Sequence, residues 1–253
     1  MDGWAARPGE ESTAEVTGAW FDGSGFFRAG ALGVFIDIAL GAPGMTNRPS
    51  PAHGMVTAEL AIDVAGPPLA AGDRVRGPSE LVALSSGGVL VRGSVLDERT
   101  GGIVAVAHMT QRFVPSGAVG DLRRIGTVDG GGRFSVSMPE VFGLAPDRPG
   151  GGMNFRIQVE EWLLNPRRTL HGGIITALSE YAASMSFGED RDRWRCGSIR
   201  VNFLRPITGG ASAVVGVRAL HFGRTTAVVD TWLDDANARR AAVARVTFSR
   251  AGT

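Results

Sequence analysis

The chain has 253 residues, of which 43% are hydrophobic and 20% are charged, and its formal net charge is +1 at pH 7. This composition is typical of a soluble globular protein, and the near-neutral charge gives no indication of a nucleic-acid-binding face. A single cysteine, Cys196, excludes a disulfide framework and a cysteine-based zinc site within this sequence. The first residues do not form a signal peptide, and no apolar run approaches the roughly 20 residues of a membrane helix. We therefore expect a cytoplasmic protein that does not bind membranes.

The N-terminal half predicts one long helix between strands. "STAEVTGAWFDG" is typical of an opening strand, and "RAGALGVFIDIALGAPGM" has the apolar spacing of a buried helix. Strands are predicted after the helix, in the order "TAELAIDV", "SELVAL", "VLVRGSVLD" and "IVAVAHMTQRFV". We interpret residues 1–118 as one unit in which a curved sheet surrounds a single helix.

The C-terminal half predicts the same order of elements. Residues 119–150 are rich in glycine and proline and are predicted to be a linker. Residues 151–253 then contain an opening strand, "MNFRIQVEEWLLN", and a helix, "HGGIITALSEYAASMSF". The later strands are "IRVNFL", "AVVGVRAL", "TAVVDTWLD" and "AAVARVTF".

The two halves align with each other as an internal repeat. Arg28 aligns with His171 and Asp37 with Glu180, so that each acid stands nine positions after the opening residue. Further matches, such as "ELAIDVAGP" with "SIRVNFLRP", keep the same order along the chain. Because chance similarity would not preserve that order, we interpret the chain as a duplicated unit.

Each predicted helix contains one acid in otherwise apolar surroundings. An ionised carboxylate in a core costs several kcal/mol unless it is paired or reaches a wet cavity. The alternative to a catalytic role is a structural carboxylate that accepts hydrogen bonds. The presence of Asp37 and Glu180 at the same place in both copies favours the catalytic role.

The sequence "HGG" at the start of the second helix has a physical explanation. The first turn of a helix has unpaired N–H groups and the positive end of the helix dipole. Gly172 and Gly173 carry no side chain to keep a ligand away from those donors, so this turn is suited to a developing oxyanion. A tight turn that merely requires glycine is the simpler alternative.

With these residues, the segment "NPRRTLHGGIITALSE" resembles the hotdog-fold acyl-CoA thioesterases, specifically the phenylacetate-pathway (PaaI-like) group. That group has an asparagine, then HGG, then an acid on the central helix. The strand "GSIRVNFLRPI" is also similar. Together with the repeat, the resemblance implies an α+β tandem double hotdog, in which each unit is a curved antiparallel sheet wrapped around one long helix.

The resemblance also implies a site between the two units. One unit supplies the asparagine and the helix start, and the other supplies the acid, so Asn165, His171 and Gly172 are expected to face Asp37. The reciprocal site would pair Glu180 with Arg28 and is expected to be the weaker one. Candidate catalytic residues are Asp37, Asn165, His171, Gly172 and Glu180; candidate substrate-binding residues are Gly173, Ser184, Ser198 and Arg224.

The implied activity is hydrolysis of an acyl-CoA thioester to a free acid and CoA, without a metal or other cofactor. The acid would act either as a general base on water or as a nucleophile. A hydratase or dehydratase of the same fold, and a silent acyl-CoA sensor, remain as alternatives. Further assembly into a homodimer of double-hotdog chains is compatible with the sequence.

Overall fold

The structure is a computed structural model that describes residues 11–115, 137–143, 145–147 and 154–251. Its helices are α1 (Leu32–Thr46), α2 (Met138–Phe142) and α3 (Gly172–Ser184). Its strands are β1 (Ser12–Glu15), β2 (His53–Val64), β3 (Arg74–Gly77), β4 (Ser79–Ser85), β5 (Gly88–Asp97), β6 (Ile103–Pro115), β7 (Ala145–Asp147), β8 (Asn154–Gln158), β9 (Trp194–Phe203), β10 (Ser212–Phe222), β11 (Thr226–Asp234) and β12 (Arg240–Arg250). Most of the predicted linker, residues 119–150, lies outside the described residues.

All strands belong to one 12-stranded antiparallel sheet. The order is β1-β3-β5-β6-β2-β9-β12-β11-β10-β8-β7, and β4 pairs with β5 beside this path. The halves of the chain join where β2 pairs with β9, from Glu59 opposite Asn202 to Asp63 opposite Ser198. In each half the strand after the helix lies at this junction and the strand before the helix lies toward the outside. The strand order of the first half is thus repeated in the second.

The two long helices form the centre of the molecule. Helix α1 buries Leu32, Phe35, Ile36 and Leu40. Helix α3 is buried around nearly its whole circumference, which explains why its sequence is apolar on every side. The stretch Ala29–Thr46 is long and apolar enough to cross a membrane. In this structure its apolar residues pack in the core, as in the central helix of a globular domain.

Glycines allow α1 and α3 to approach each other closely. A Cβ atom on Gly173 would lie 2.3 Å from the Cα of Val34, and one on Gly30 would lie 3.0 Å from the Cα of Ala177. Gly30 and Val34 are the repeat equivalents of Gly173 and Ala177. The helix contact is therefore the same on both sides of a pseudo-twofold axis, and this contact brings each acid beside the start of the opposite helix.

Candidate active site

The loop before α3 holds the start of that helix in place. The backbone N–H of His171 donates to the carbonyl of Leu163 over 3.0 Å, and Leu164 forms an antiparallel bridge with Leu170. His171 is the N-cap residue, and its Nδ1 accepts a hydrogen bond of 3.0 Å from the N–H of Gly173. The imidazole thus satisfies one of the unpaired donors of the first turn.

The carboxylate of Asp37 lies directly beside this helix start. Its Oδ2 accepts a hydrogen bond of 3.2 Å from the Gly173 N–H and lies 3.2 Å from His171 Nδ1. The side chains of Asp37 and His171 are 13% and 17% exposed, so water reaches both. An acid from the first half and the helix start of the second half are therefore combined in one solvent-accessible site.

The lack of a side chain at Gly172 allows the start of α3 to lie close against that carboxylate. A Cβ atom at this position would lie 2.8 Å from Asp37 Oδ2 and 3.3 Å from the ring of Phe203. Within the described residues, no acceptor is bonded to the Gly172 N–H. This amide is consequently a donor at the positive end of a helix, with a carboxylate beside it.

Thr57 is a further residue of the site. Its hydroxyl donates to Asp37 Oδ1 over 3.3 Å, so each carboxylate oxygen has a donor. Simple register counting from the repeat places Thr57 out of step with Ser198. Thr57 instead corresponds to Cys196, because both strands have a β-bulge at the next residue. In β2, Thr57 pairs with Gln111 and Glu59 with Thr110, so Ala58 is the extra residue. In β9, Cys196 pairs with Phe248 and Ser198 with Thr247, so Gly197 is the extra residue.

Asn165 shapes the loop with one end of its amide. Its Oδ1 accepts hydrogen bonds from the N–H of Arg167 at 2.9 Å, the N–H of Thr169 at 3.3 Å and the Thr169 hydroxyl at 3.2 Å. Since the oxygen is fully used in the loop, the Nδ2 group is the end of the side chain that can donate to a ligand.

The reciprocal position around Glu180 is buried, unlike the position around Asp37. Glu180 is 1% exposed, and burial raises its pKa to about 7 despite the opposing effects of the Arg28 charge and a hydrogen bond from the Gly30 backbone. The Gly30 amide therefore acts on Glu180 as the Gly173 amide acts on Asp37. Glu180 Oε1 lies 3.9 Å from Arg28 Nη1.

A buried ion pair closes this second position. Arg28 and Asp22 are 1% and 3% exposed, and the Arg28 Nε donates to Asp22 Oδ2 over 2.9 Å. In the repeat these two residues replace His171 and Asn165. The position around Glu180 is therefore filled by protein side chains, whereas the one around Asp37 is open to solvent.

Three predicted substrate-binding residues lie away from Asp37. Ser184 is fully buried near the end of α3, roughly 18 Å along the helix from Gly172, and donates to the carbonyl of Tyr181. Ser198 precedes the fully buried Ile199 on β9 and so faces the opposite side of the sheet from the helices. Arg224 is exposed in the turn between β10 and β11.

That turn lies near the far end of α3. Phe222, two residues before Arg224, contacts Phe187, which follows the end of α3, with ring centroids 5.3 Å apart. None of these three residues therefore extends the site around Asp37. Gly173, the fourth predicted substrate-binding residue, donates to Asp37 and packs on α1.

In the part of the chain that the structure describes, no group of three or more histidine, cysteine, aspartate or glutamate side chains is arranged to hold a metal ion. Cys196 is buried, and burial raises the pKa of its thiol well above the usual value. A thiol in that condition is a poor nucleophile.

Comparison with known proteins agrees with this geometry. Residues 159–250 match the family model of the acyl-CoA thioesterase N-terminal domain. No curated protein matches the chain.

Solved structures resemble almost the whole chain at low sequence identity. The 12:0-ACP thioesterase from Umbellularia californica has a TM-score of 0.65 at 13% identity, over 94% of this chain and 93% of that chain. An acyl-ACP thioesterase from Bacteroides thetaiotaomicron has a TM-score of 0.61 at 10% identity, over 94% and 97%. A conserved protein of unknown function with a hot dog fold from Alicyclobacillus acidocaldarius has a TM-score of 0.65 at 12% identity, over 98% and 96%. The fold is therefore a hotdog α+β fold, and the domain match supports a thioester hydrolase.

Proposed function

We propose that the chain is an acyl-CoA thioesterase of the phenylacetate-pathway type that acts in the cytoplasm and hydrolyses its substrate at the site around Asp37. The observation that carries the proposal is the combination of a solvent-accessible carboxylate with the Gly172 N–H, which has no bonded acceptor within the described residues. Thioester hydrolysis needs these two groups: one to activate water and one to stabilise the oxyanion.

We further propose a tandem double hotdog, with units at residues 1–118 and 151–253 joined by a linker at 119–150. Two features support this organisation. The strand order of the first half recurs in the second, and equivalent glycines pack against equivalent residues of the opposite helix. A homodimer of such chains would be a dimer of pseudo-dimers.

In the proposed reaction, Asp37 takes a proton from a water molecule while the oxygen of that water attacks the thioester carbon. The carbonyl oxygen becomes an oxyanion and accepts hydrogen bonds from the Gly172 N–H and the amide of Asn165. Collapse of this intermediate breaks the carbon–sulfur bond, and the leaving thiolate takes the proton held by Asp37. Direct attack by Asp37 to form an anhydride is the alternative route.

The other residues of the site orient these groups. Thr57 and the Gly173 N–H hold the two oxygens of Asp37. His171 caps the helix that presents Gly172. Glu180 has no place in this reaction because it is buried beside Arg28.

The test compares Asp37→Asn with Glu180→Gln, which makes the same chemical change at the repeat-equivalent position. Release of free thiol from aromatic, short, medium and long acyl-CoAs is followed with a thiol-reactive dye. We expect kcat to fall by about 10²–10⁴-fold for Asp37→Asn and by only a few-fold for Glu180→Gln. Equal losses would show that both positions are active and would contradict the assignment to Asp37 alone.

An assay of acyl-CoA binding and one of enoyl-CoA hydration, run beside the thiol-release assay, separate the alternative functions. A silent acyl-CoA sensor would bind acyl-CoA without releasing thiol, and a hydratase would convert enoyl-CoA with its thioester intact. Either outcome with the wild-type protein would overturn the proposed hydrolysis.

A further inference from the structure

Residues 41–46, the last turns of α1, have a sequence that is unfavourable for a helix. They contain Gly41, Pro43 and Gly44, and glycine and proline are the least favourable residues in a helix interior. Pro43 has no N–H, so the carbonyl of Ala39 lacks its helical donor. This carbonyl accepts a hydrogen bond of 3.1 Å from the Ser79 hydroxyl instead. A side chain of β4 thus replaces a bond that the helix cannot form.

The second half of the chain shows that the fold does not require an α-helix at these positions. Asp37 and Glu180 are equivalent, because each accepts a hydrogen bond from a glycine at the start of the opposite helix. Helix α3 ends at Ser184, four residues after Glu180, and the chain continues there in 3₁₀ turns. Helix α1 instead continues past the equivalent Gly41 to Thr46. A second backbone conformation is therefore compatible with this place in the fold.

Residues 41–46 close the space beyond Asp37. Gly41 and Gly44 follow Asp37 by four and seven positions, so all three lie on one face of α1. There is room beside Gly41, because among the described residues a Cβ atom there would meet only Gln111 Nε2, at 3.9 Å. The room ends at Gly44, because a Cβ atom there would overlap Gln111 Oε1 and Met55 Sδ. A group that extends from Asp37 along α1 therefore reaches a barrier after roughly 10 Å.

Two features indicate that this barrier is weakly held. Gln111 Oε1 is buried and has no hydrogen-bond partner within the described part of the chain, which is an unfavourable state for an acceptor. On the opposite side of α1 lies a groove of about 470 Å³, lined among others by Ala42, Pro43 and Leu81. The groove gives residues 41–46 room to shift away from the sheet, and such a shift separates Gly44 from Gln111.

We propose that residues 41–46 form a gate that opens toward the groove and admits long acyl groups to the site around Asp37. This inference rests on the proposed thioesterase function and concerns the acyl chains that the same site accepts. The acyl group enters here, because Gln111 and Gly44 are buried and the charged CoA stays in solvent. About eight carbon atoms fit into roughly 10 Å of extended chain, so hexanoyl groups need no opening and dodecanoyl groups do.

The experiment combines amide hydrogen exchange of the protein without substrate with kcat/KM for hexanoyl-CoA and dodecanoyl-CoA. Pro43→Ala gives the Ala39 carbonyl a helical donor, so exchange of residues 41–46 should slow by roughly 10- to 100-fold. Because only the open form accepts a long chain, kcat/KM for dodecanoyl-CoA should fall by the same factor. The value for hexanoyl-CoA should stay unchanged, since Pro43 lies on the groove side of α1 and its replacement does not narrow the site.

Ser79→Ala removes the donor to the Ala39 carbonyl and should have the opposite effect. Exchange of residues 41–46 and kcat/KM for dodecanoyl-CoA should both rise several-fold. In the Pro43→Ala background the same substitution should have a smaller effect, because the carbonyl then has its own donor. The matched control is Pro68→Ala, in an exposed loop beyond Val64, which lies roughly 23 Å along β2 from Thr57. This variant should change neither measurement.

Several outcomes would overturn the gate. They are unchanged exchange of residues 41–46 in both Pro43→Ala and Ser79→Ala, an equal fall in kcat/KM for both substrates in Pro43→Ala, slower exchange with unchanged kcat/KM for dodecanoyl-CoA, and no turnover of dodecanoyl-CoA by wild type. In each case, hexanoyl-CoA turnover that depends on Asp37 would leave the proposed thioesterase function intact. Absence of thiol release from every acyl-CoA in wild type would overturn that function, and the gate with it.

Discussion

Glu180 makes the stability of this protein depend on pH in an unusual direction. Burial raises the pKa of its carboxyl from 4.5 to about 7 in the folded chain. Folded Glu180 therefore holds a proton at pH values at which an unfolded glutamate has already lost it. The stabilisation that follows is fully present below about pH 4.5 and is lost as the pH rises through about 7.

The size of this effect follows from the same two values. One pKa unit corresponds to about 1.4 kcal/mol, so the difference amounts to on the order of 3 kcal/mol of unfolding free energy. For a chain of this size each kcal/mol shifts the melting temperature by about 2–4 °C, which gives a shift of about 10 °C. Asp22 acts outside this pH window. Hydrogen bonds from Ser24 and the charge of Arg28 outweigh burial and lower its pKa, so its contribution is lost only in acid.

The assay is denaturant unfolding of wild type and Glu180→Gln at about pH 5 and pH 8.5. Glutamine keeps the size of the side chain and removes the ionisation. Between pH 5 and pH 8.5 the unfolding free energy of wild type should fall by on the order of 3 kcal/mol more than that of the variant. Asp37→Asn serves as the control, because Asp37 is in contact with solvent. Parallel pH dependence of wild type and Glu180→Gln would refute the reasoning.

Three further substitutions test the site and the helix contact. Gly172→Ala places a methyl group 2.8 Å from the Asp37 carboxylate, so kcat should fall about 100-fold while the melting temperature changes little. Gly173→Ala clashes with the backbone of Val34 at 2.3 Å and should lower the unfolding free energy by about 3 kcal/mol or prevent folding. Thr57→Val removes a hydroxyl but keeps the shape of the side chain, so kcat should fall about 10-fold with unchanged KM; full activity in this variant would contradict a role in orienting Asp37.

The internal repeat made much of this arrangement predictable. Once Asp37 and Glu180 were aligned, the resemblance to the PaaI-like thioesterases implied that Asp37 lies beside the start of α3, because in that group one unit supplies the helix start and the other supplies the acid. The match with acyl-CoA thioesterase domains over residues 159–250 agrees with the resemblance carried by the asparagine, HGG and acid motif.

Other features depend on tertiary structure that no local pattern records. The bulge at Ala58 shifts the register that brings Thr57 to the carboxylate. Arg28 and Asp22 replace the histidine and the asparagine of the motif. Their positions in the sequence do not show that the two side chains form an ion pair with each other. The position of Ser198 is different, because strand alternation beside the apolar Ile199 already indicates that Ser198 faces away from the helices.

The connection of both halves in one polypeptide has an evolutionary consequence. In a homodimer with exact twofold symmetry, one gene encodes both sites, so a mutation that blocks one site blocks the other. Here a buried Arg28–Asp22 pair at one interface leaves the groups at the other interface untouched. In the proposed tandem double hotdog, fusion of two copies in one gene would allow the halves to diverge, so that one half becomes a scaffold while selection for turnover acts on the other.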